Sequence, residues 1–337
     1  MSIEVKNLIK TFDERRVIDN ISFKVKNGET LAVVGFSGSG KSTILKLICG
    51  LLAPDSGEII TSRGDIAMVF QSYALYPTMS VRENIEFCLK NNKIPKAERK
   101  KRVEAVAERV DLTDYLDRKP SQLSGGQRQR VALARAMVKE PQVFLMDEPL
   151  SNLDAKLRAS MRSELIQLHN KLKTTFIYVT HDQIESMAMA DYIVLLNHGK
   201  IMQQDTPEEI YNNPANVFTA QFIGTPATNI LPLHNGCYGF RPEKAYFISK
   251  DAANFEQYWK KGTILTREML GSEVHYQIQT GNHTVMMKST DFNHKVGENI
   301  LFAVSADNLY FFDSDGNRVT APENIPEYLK MEETQIE

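Results

Sequence analysis

Nine consecutive residues, Gly35-Phe36-Ser37-Gly38-Ser39-Gly40-Lys41-Ser42-Thr43, follow the apolar run TLAVVG and precede the helix-period run ILKLICG. Glycines at this spacing let successive backbone N–H groups turn toward an anion, and a helix that begins there adds its partial positive charge. Lys41 is placed to reach the terminal phosphates of a bound nucleotide, and Ser42 to offer an oxygen to Mg²⁺. A Gly- and Ser-rich turn would explain the composition alone. Strand, spacing, Lys-Ser pair and helix together select a phosphate-binding loop.

A second element ends in acid. In Val143-Phe144-Leu145-Met146-Asp147-Glu148 four apolar residues carry two carboxylates to the carboxyl edge of a sheet, where open α/β folds bind their ligands. Beside a phosphate loop, Asp147 would support Mg²⁺ through its coordination sphere and Glu148 would polarise an attacking water. A third element, Leu123-Ser124-Gly125-Gly126-Gln127, places two glycines after a cap-type serine and before the helical RQRVALARAMVKE. That is a second anion cradle in the same chain. Arg128, Arg130 and Arg135 then read as helix-surface or packing residues, and nucleic-acid contact is the poorer reading.

The elements that must position these groups follow from periodicity. TLAVVG, IAMVFQ, VFLMDE, FIYVTH and YIVLL are short, continuous apolar runs rich in β-branched residues, as strands covered on both faces require, and they alternate with helix-period segments from Thr30 to Asp191. The pattern predicts a mostly parallel α/β core. Ile21, Phe23 and Val25 alternate like a half-buried antiparallel strand. Asp154 can cap a helix with Leu157, Met161, Leu165, Leu168 and Leu172 on one face, and Val103, Val106 and Val110 form a second stripe. Thr206-Pro207-Glu208-Glu209 opens a further helix. After Gly224 the texture changes to TPATNILPLHNG and then to alternating strands such as Val274, Tyr276 and Ile278, with a turn at Asp313-Ser314-Asp315-Gly316-Asn317. The domain boundary is expected near Thr225, giving an ATPase-like domain over residues 1–224 and a smaller one over 225–337.

The order of phosphate loop, LSGGQ and acidic strand resembles the ABC ATPase family, in which LSGGQ is the hallmark. The resemblance runs over nearly the whole chain and implies roles for further positions. Gln71 matches a glutamine that contacts Mg²⁺ and senses a membrane partner, and His181 a switch histidine on the terminal phosphate. Ser151-Asn152-Leu153-Asp154 looks like a loop crossing the dimer interface, so that Asp154 joins the nucleotide site together with Ser124, Gly125, Gly126 and Gln127. Phe12 sits where the family stacks an aromatic on adenine, and Arg118 matches another nucleotide contact. The catalytic set implied is Lys41, Gln71, Glu148 and His181. The nucleotide set adds Ser37, Gly38, Ser39, Gly40, Ser42 and Thr43, and the metal set is Ser42, Gln71 and Asp147. ATP and Mg²⁺ are the cofactors implied.

Within the family, YALYPTMSVRENI, SNLDAKLRASMRSEL, PANVFTAQFIGTPATN and GFRPE resemble the ATPases of carbohydrate importers, the maltose and glycerol-3-phosphate group. This resemblance implies a β-rich, OB-like regulatory domain that helps hold a dimer, two membrane permease subunits as partners, and an extracellular solute-binding protein reached indirectly. Relative to that group the stretches Gly57–Asp65 and Leu233–Phe240 are contracted, and Phe36 replaces a proline. An ATPase of a polyamine or metal-ion importer shares every catalytic motif and is the alternative.

Composition narrows the classes. No apolar run approaches the roughly 18 residues of a membrane span, and the N-terminus interleaves charge with apolar residues unlike a secretory signal, so the expected place is the cytoplasm, peripheral on the inner face of the membrane. A formal net charge of -2 gives no footprint for nucleic acid across the whole chain, and after Thr225 ten Lys and Arg face fifteen Asp and Glu, which disfavours an OB-type nucleic-acid binder. Cys49, Cys88 and Cys237 have neither disulfide nor zinc-site spacing and read as packing residues.

Overall fold

The computed structural model describes residues 3–61, 66–249, 258–325 and 327–329. The chain divides into two compact units, Met1–Glu208 and Glu209–Glu337.

In the first unit, β1 (Ile3–Phe12), β2 (Arg15–Val25) and β4 (Ser56–Thr61) form an antiparallel sheet in the order β2-β1-β4. The alternation read at Ile21, Phe23 and Val25 is a buried stripe that faces the core. Residues 62–65, inside the contracted stretch Gly57–Asp65, lie outside the described residues. Five apolar runs build a second sheet from β3 (Thr30–Gly35), β5 (Ile66–Val69), β6 (Val143–Asp147), β7 (Thr175–Thr180) and β8 (Tyr192–Asn197), with β9 (Lys200–Asp205) on its edge. The order is β5-β6-β7-β3-β8-β9, parallel throughout except for the β8–β9 hairpin. Every residue of β3, β6 and β7 is buried, as continuous apolar runs in a doubly covered sheet must be.

The register fixes the functional edge. Val34 lies opposite Thr180 and Asp147 opposite Val179, so three central strands end at one level and release Gly35, Glu148 and His181 side by side. The helices around the sheet are α1 (Lys41–Ile48), α2 (Val81–Asn91), α3 (Lys96–Arg109), α4 (Gly125–Met137), α5 (Ala155–Leu172) and α6 (Gln183–Met189). The predicted stripes are buried at Val103 and Val106 in α3, at Val110 just beyond it, and at Met161, Leu165 and Leu168 in α5. The three cysteines are free and half-buried.

The helix expected at Thr206 starts at Pro207 as α7 (Pro207–Asn212), and the division between units falls inside it. This is upstream of Thr225, the boundary that composition suggests. The reason lies in α8 (Val217–Phe222): its Ala220 packs with Tyr310 and Phe312 of the second unit, and Val217 N–H donates to Gly316 O at 2.8 Å.

The second unit is β-rich. β10 (Asn229–Leu233), β11 (Gly236–Phe240), β17 (Tyr310–Phe312) and β18 (Arg318–Val319) form one antiparallel sheet. β12 (Ala245–Ile248), β13 (Tyr258–Met269), β14 (Val274–Thr280), β15 (His283–Ser289) and β16 (Asn299–Val304) form another in the order β12-β16-β13-β14-β15. The two share a core that includes Tyr238, Phe240, Tyr276 and Phe302. The contracted stretch Leu233–Phe240 is a closed hairpin, with Leu233 opposite Gly236. The turn expected at 313–317 is held by Asp313, whose carboxylate accepts from the N–H groups of Asp315 and Asn317.

Candidate active site

The loop from β3 to α1 wraps as its sequence requires. Gly40, the residue before α1, has φ 104°, and a Cβ there would stand 2.6 Å from Ile18 Cδ1 and 2.8 Å from Val17 O. Only glycine satisfies both the left-handed backbone and the close approach. A Cβ on Gly38 would meet nothing within 4 Å, so this residue borders open space. No side chain caps α1, which leaves its first-turn N–H groups to an incoming anion. Lys41 is 5% exposed and its Nζ donates to the carbonyls of Gly35 and Phe36, each at 2.9 Å. Burial pulls its pKa down, against the attraction of Glu148 and Asp147. Ser39 Oγ is buried without a hydrogen-bond partner, while Ser37 and Gly38 stand exposed on the rim and Thr43 is half-buried in the first turn.

Ser42 Oγ donates to Asp147 Oδ1 at 2.8 Å. Burial pushes the Asp147 carboxyl above its ordinary value; the Ser42 hydrogen bond acts in the opposite direction. Burial thus acts against the charged form of both groups, a perturbation of the kind that collects at functional sites. The hard oxygens of Ser42 and Asp147 suit a small divalent cation that shares its remaining positions with phosphate and water. Among the described residues no group of three His, Cys, Asp or Glu side chains could cage a metal alone, so phosphate oxygens would have to complete such a sphere.

Glu148 follows at the strand end with φ 45°, and its N–H donates to Val179 O at 3.0 Å. This fixes the carboxylate in a sparsely populated backbone conformation of the kind that collects at functional sites. Its Oε2 accepts from Gln71 Nε2 at 3.2 Å and lies 3.2 Å from His181 Nδ1. Gln71 Nε2 also donates to Ser151 Oγ at 3.3 Å, Ser151 Oγ to Glu148 O at 3.0 Å, and Asn152 Nδ2 to Gln71 O at 2.9 Å. Three loops from distant parts of the sequence therefore meet at one carboxylate. His181 is held by the turn behind it: Asp182 N–H donates to Thr180 Oγ1, and Asp182 caps α6 through the N–H groups of Ile184 and Glu185.

Lys41, Ser42, Gln71, Asp147, Glu148 and His181 are thus in one place, as the sequence implies. The remaining candidates are elsewhere in this single chain. Ser124 caps α4 in a capping box: its Oγ accepts from Gln127 N–H at 3.3 Å and Gln127 Oε1 from Ser124 N–H at 2.9 Å. A Cβ on Gly125 or Gly126 would stand 3.2 Å from Leu153 or 3.1 Å from Leu157, so both glycines also seat α4 on the start of α5. Asp154 is the N-cap of α5 and accepts from Leu157 N–H. Phe12 is 41% exposed at the end of β1 with Lys10 Nζ 5.4 Å from its ring centre. Arg118 lies over the Tyr115 ring.

Sequence reasoning passes over Asn84. It is fully buried, accepts from Tyr76 N–H at 2.8 Å, and donates to the carbonyls of Tyr76, Met79 and Ser80, tying down the loop after Gln71. The signal was present as an amide on the apolar face formed by Val81, Ile85 and Leu89. Such a group must find partners inside the fold.

The chain is similar to known proteins over most of its length. A family model described as "ABC transporter" matches residues 18–151. The sn-glycerol-3-phosphate import ATP-binding protein UgpC of Rhizobium meliloti is 42% identical over 94% of this chain and 99% of the relative. The osmoprotective compounds uptake ATP-binding protein GgtA of Synechocystis is 41% identical over 93% of this chain and 98% of its own length. Among solved structures, cbiO1 from Clostridium perfringens, part of the ABC transporter complex cbiONQ, superposes with TM-score 0.58 at 29% identity and covers 62% of this chain and 89% of its own. A dimeric ATP-binding cassette in a post-hydrolysis state with ADP and Pi gives TM-score 0.55 at 31% identity over 61% of this chain and 98% of that one.

Proposed function

The chain belongs to the ATP-binding proteins of ABC transporters, and from that premise we propose that it drives uptake of a carbohydrate or glycerol-3-phosphate-like solute. The observation that carries this reading is the extent of the similarity. It runs beyond the nucleotide site through the β-rich second unit, in relatives named for glycerol-3-phosphate import and for uptake of osmoprotective compounds.

The chemistry follows from the geometry. ATP lies with its phosphates on the first-turn N–H groups of α1, and Lys41 exchanges its two carbonyl contacts for phosphate oxygens. Ser42, Gln71 and, through the coordination sphere, Asp147 would hold Mg²⁺, which would supply charge neutralisation on those phosphates. Glu148, steadied by Gln71 and faced by His181, orients a water whose oxygen bonds to the terminal phosphorus as the bridging P–O bond to ADP breaks. The water's proton passes toward Glu148 and ends on the released phosphate or the solvent.

One chain has two anion cradles and one ATP has one terminal phosphate. We therefore assign the Ser124–Gln127 turn to the nucleotide of a second copy, with Asp154 at the shared face, Phe12 beside the adenine and Arg118 as a peripheral contact. Two permease subunits are the membrane partners, reached through the loop after Gln71; an extracellular solute-binding protein acts only through them. No helix among the described residues is long and apolar enough to cross a membrane, so attachment to the inner face rests on those subunits. The second unit serves as a regulatory, OB-like dimerisation domain.

Deleting the coding sequence is expected to abolish uptake of at least one carbohydrate or glycerol phosphate. Re-expressing the chain as Glu148→Gln should leave uptake absent, with ATP still bound and hydrolysis slowed by about 100-fold or more. Normal uptake of every such solute, together with lost polyamine or metal-ion uptake, would replace this substrate assignment. Hydrolysis unchanged in Glu148→Gln would remove the catalytic one.

A further inference from the structure

Arg135 lies in the last turn of α4, the helix that the Ser124–Gln127 turn begins, and its sequence context marks it only as a packing residue. In the fold its guanidinium leaves the helix and grips another loop: one terminal nitrogen donates to Ala74 O at 2.6 Å and the other to Tyr73 O at 2.8 Å. Tyr73 and Ala74 have φ values of 62° and 46°, two consecutive non-glycine residues in the left-handed region. That backbone region is unfavourable for residues with a Cβ, so the pair persists because something holds it. A planar fork reaching two adjacent carbonyls is suited to that task, and a lysine ammonium is not. No carboxylate is paired with Arg135 among the described residues, so the two carbonyls are its main polar partners.

This loop begins at Gln71, two residues before Tyr73, and the Gln71 amide donates to Glu148. A continuous path therefore runs from the second cradle along α4 to Arg135, through the carbonyls of Tyr73 and Ala74 to Gln71, and on to the carboxylate that orients water. Asn84 holds the far end of the same loop at Tyr76, so a displacement at Arg135 is directed toward Gln71.

We propose that Arg135 is a positioning residue for hydrolysis: it clamps the loop after Gln71 to the helix of the second cradle, so that the placement of α4 sets the placement of Gln71 against Glu148. This rests on the ATPase activity and adds to it a route by which engagement of one cradle reaches the chemistry at the other.

The test is a double-mutant cycle on the full chain, with hydrolysis rates counted per mole of ATP bound so that unfolded molecules do not contribute. Arg135→Lys, which keeps the charge and loses the fork, is expected to lower kcat between about 10-fold and 100-fold while ATP affinity stays within about twofold. Arg135→Gln should behave alike. In a Gln71→Ala background, Arg135→Lys should change kcat less than about twofold, because the residue acts through Gln71. Hydrogen exchange should rise at residues 72–76 and not in β3 or β6. The proposal is overturned by an equal kcat loss in both backgrounds, by a loss confined to ATP affinity, or by failure of both Arg135 variants to fold well enough to bind ATP. Hydrolysis by wild type and its loss in Glu148→Gln, run in parallel, separate failure of the clamp from failure of the ATPase assignment.

Discussion

The loop before α1 and the turn before α4 both bring glycines to a helix N-terminus, yet they leave their backbone donors in opposite states. Before α1 the cap residue is Gly40, with no side-chain oxygen to accept from the first turn, and a buried lysine stands beside it. Before α4 the Ser124 hydroxyl and the Gln127 amide satisfy each other's backbone N–H groups. The glycines differ as well. Gly38 borders open space, whereas Gly125 and Gly126 are pressed against Leu153 and Leu157. The first helix start therefore keeps its donors free of any side-chain cap beside a lysine, whereas at the second the capping box takes up the N–H groups of Ser124 and Gln127. Under the shared site proposed above, this difference gives a physical reason for a nucleotide to bind first at Lys41 and to recruit the second cradle afterwards.

The largest effect expected from this contrast is on ATP affinity. Lys41→Ala should weaken ATP binding by about 100-fold or more, since charge-assisted contacts to two phosphates are lost from a largely buried position. Ser124→Arg should leave binding within about twofold. In a Glu148→Gln background, sedimentation should show an ATP-dependent dimer that Ser124→Arg abolishes. To keep any dimerisation by the second unit out of the measurement, a chain ending near Thr225 can be compared with the full chain. Equal losses of ATP affinity in Lys41→Ala and Ser124→Arg would show that both cradles bind nucleotide within one molecule and end the comparison.

A smaller effect separates the glycines by stability. Gly40→Ala forces a Cβ against Val17 O and Ile18 at a left-handed φ, and about 3 kcal/mol of destabilisation is expected. Gly125→Ala meets only the end of the Leu153 side chain at 3.2 Å, while a helix gains about 1 kcal/mol from the exchange, so the net should stay within about 1 kcal/mol of zero. Urea midpoints of the nucleotide-free variants decide it. A Gly125→Ala loss as large as that of Gly40→Ala would mean that the second turn is as rigidly packed as the first.

The smallest effect concerns pH. Burial keeps the Asp147 proton to higher pH in the folded chain than at its ordinary 3.8. The folded state then binds more protons than the unfolded one between those two values, so stability falls as pH rises through that window and the penalty persists above it. Asp147→Asn removes the penalty. The nucleotide-free variant should therefore be the more stable chain at neutral pH, with the gain vanishing on acidification below the ordinary carboxylate value, and should hydrolyse ATP poorly. Thermal melts across this range check the sign, and a variant that is less stable than wild type at neutral pH would contradict it.

Much of the site was legible because its residues are contiguous. The phosphate loop, the acidic strand end and the Ser124–Gln127 turn each combine a glycine or carboxylate pattern with the strand or helix that presents it, and local physics reads such patterns directly. Gln71, His181 and Asp154 needed the family resemblance, because a lone glutamine, histidine or aspartate carries no signature at a strand end or helix start. Asn84 was passed over, and Arg135 read as no more than a helix-surface or packing residue, for another reason. Their partners are backbone carbonyls and N–H groups of another loop, and no periodicity of their own helices announces a contact with main chain.

The sequence alone determined the five apolar runs that become strands of the parallel sheet, the starts of the helices at Lys41, Gly125, Ala155 and Pro207, and the three stretches whose residue types suit phosphate, since these follow from period, cap and glycine spacing. The strand order was left to the tertiary structure: placing β7 between β6 and β3 puts His181 and Glu148 within 3.2 Å although they are separated in sequence by a whole helix and strand. The edge of the second unit was decided the same way, because α8 buries Ala220 against Tyr310 and Phe312, residues far downstream of the compositional break at Gly224. Composition records where the texture of a chain changes. Which surfaces are buried together is settled only when distant segments compete for the same apolar area.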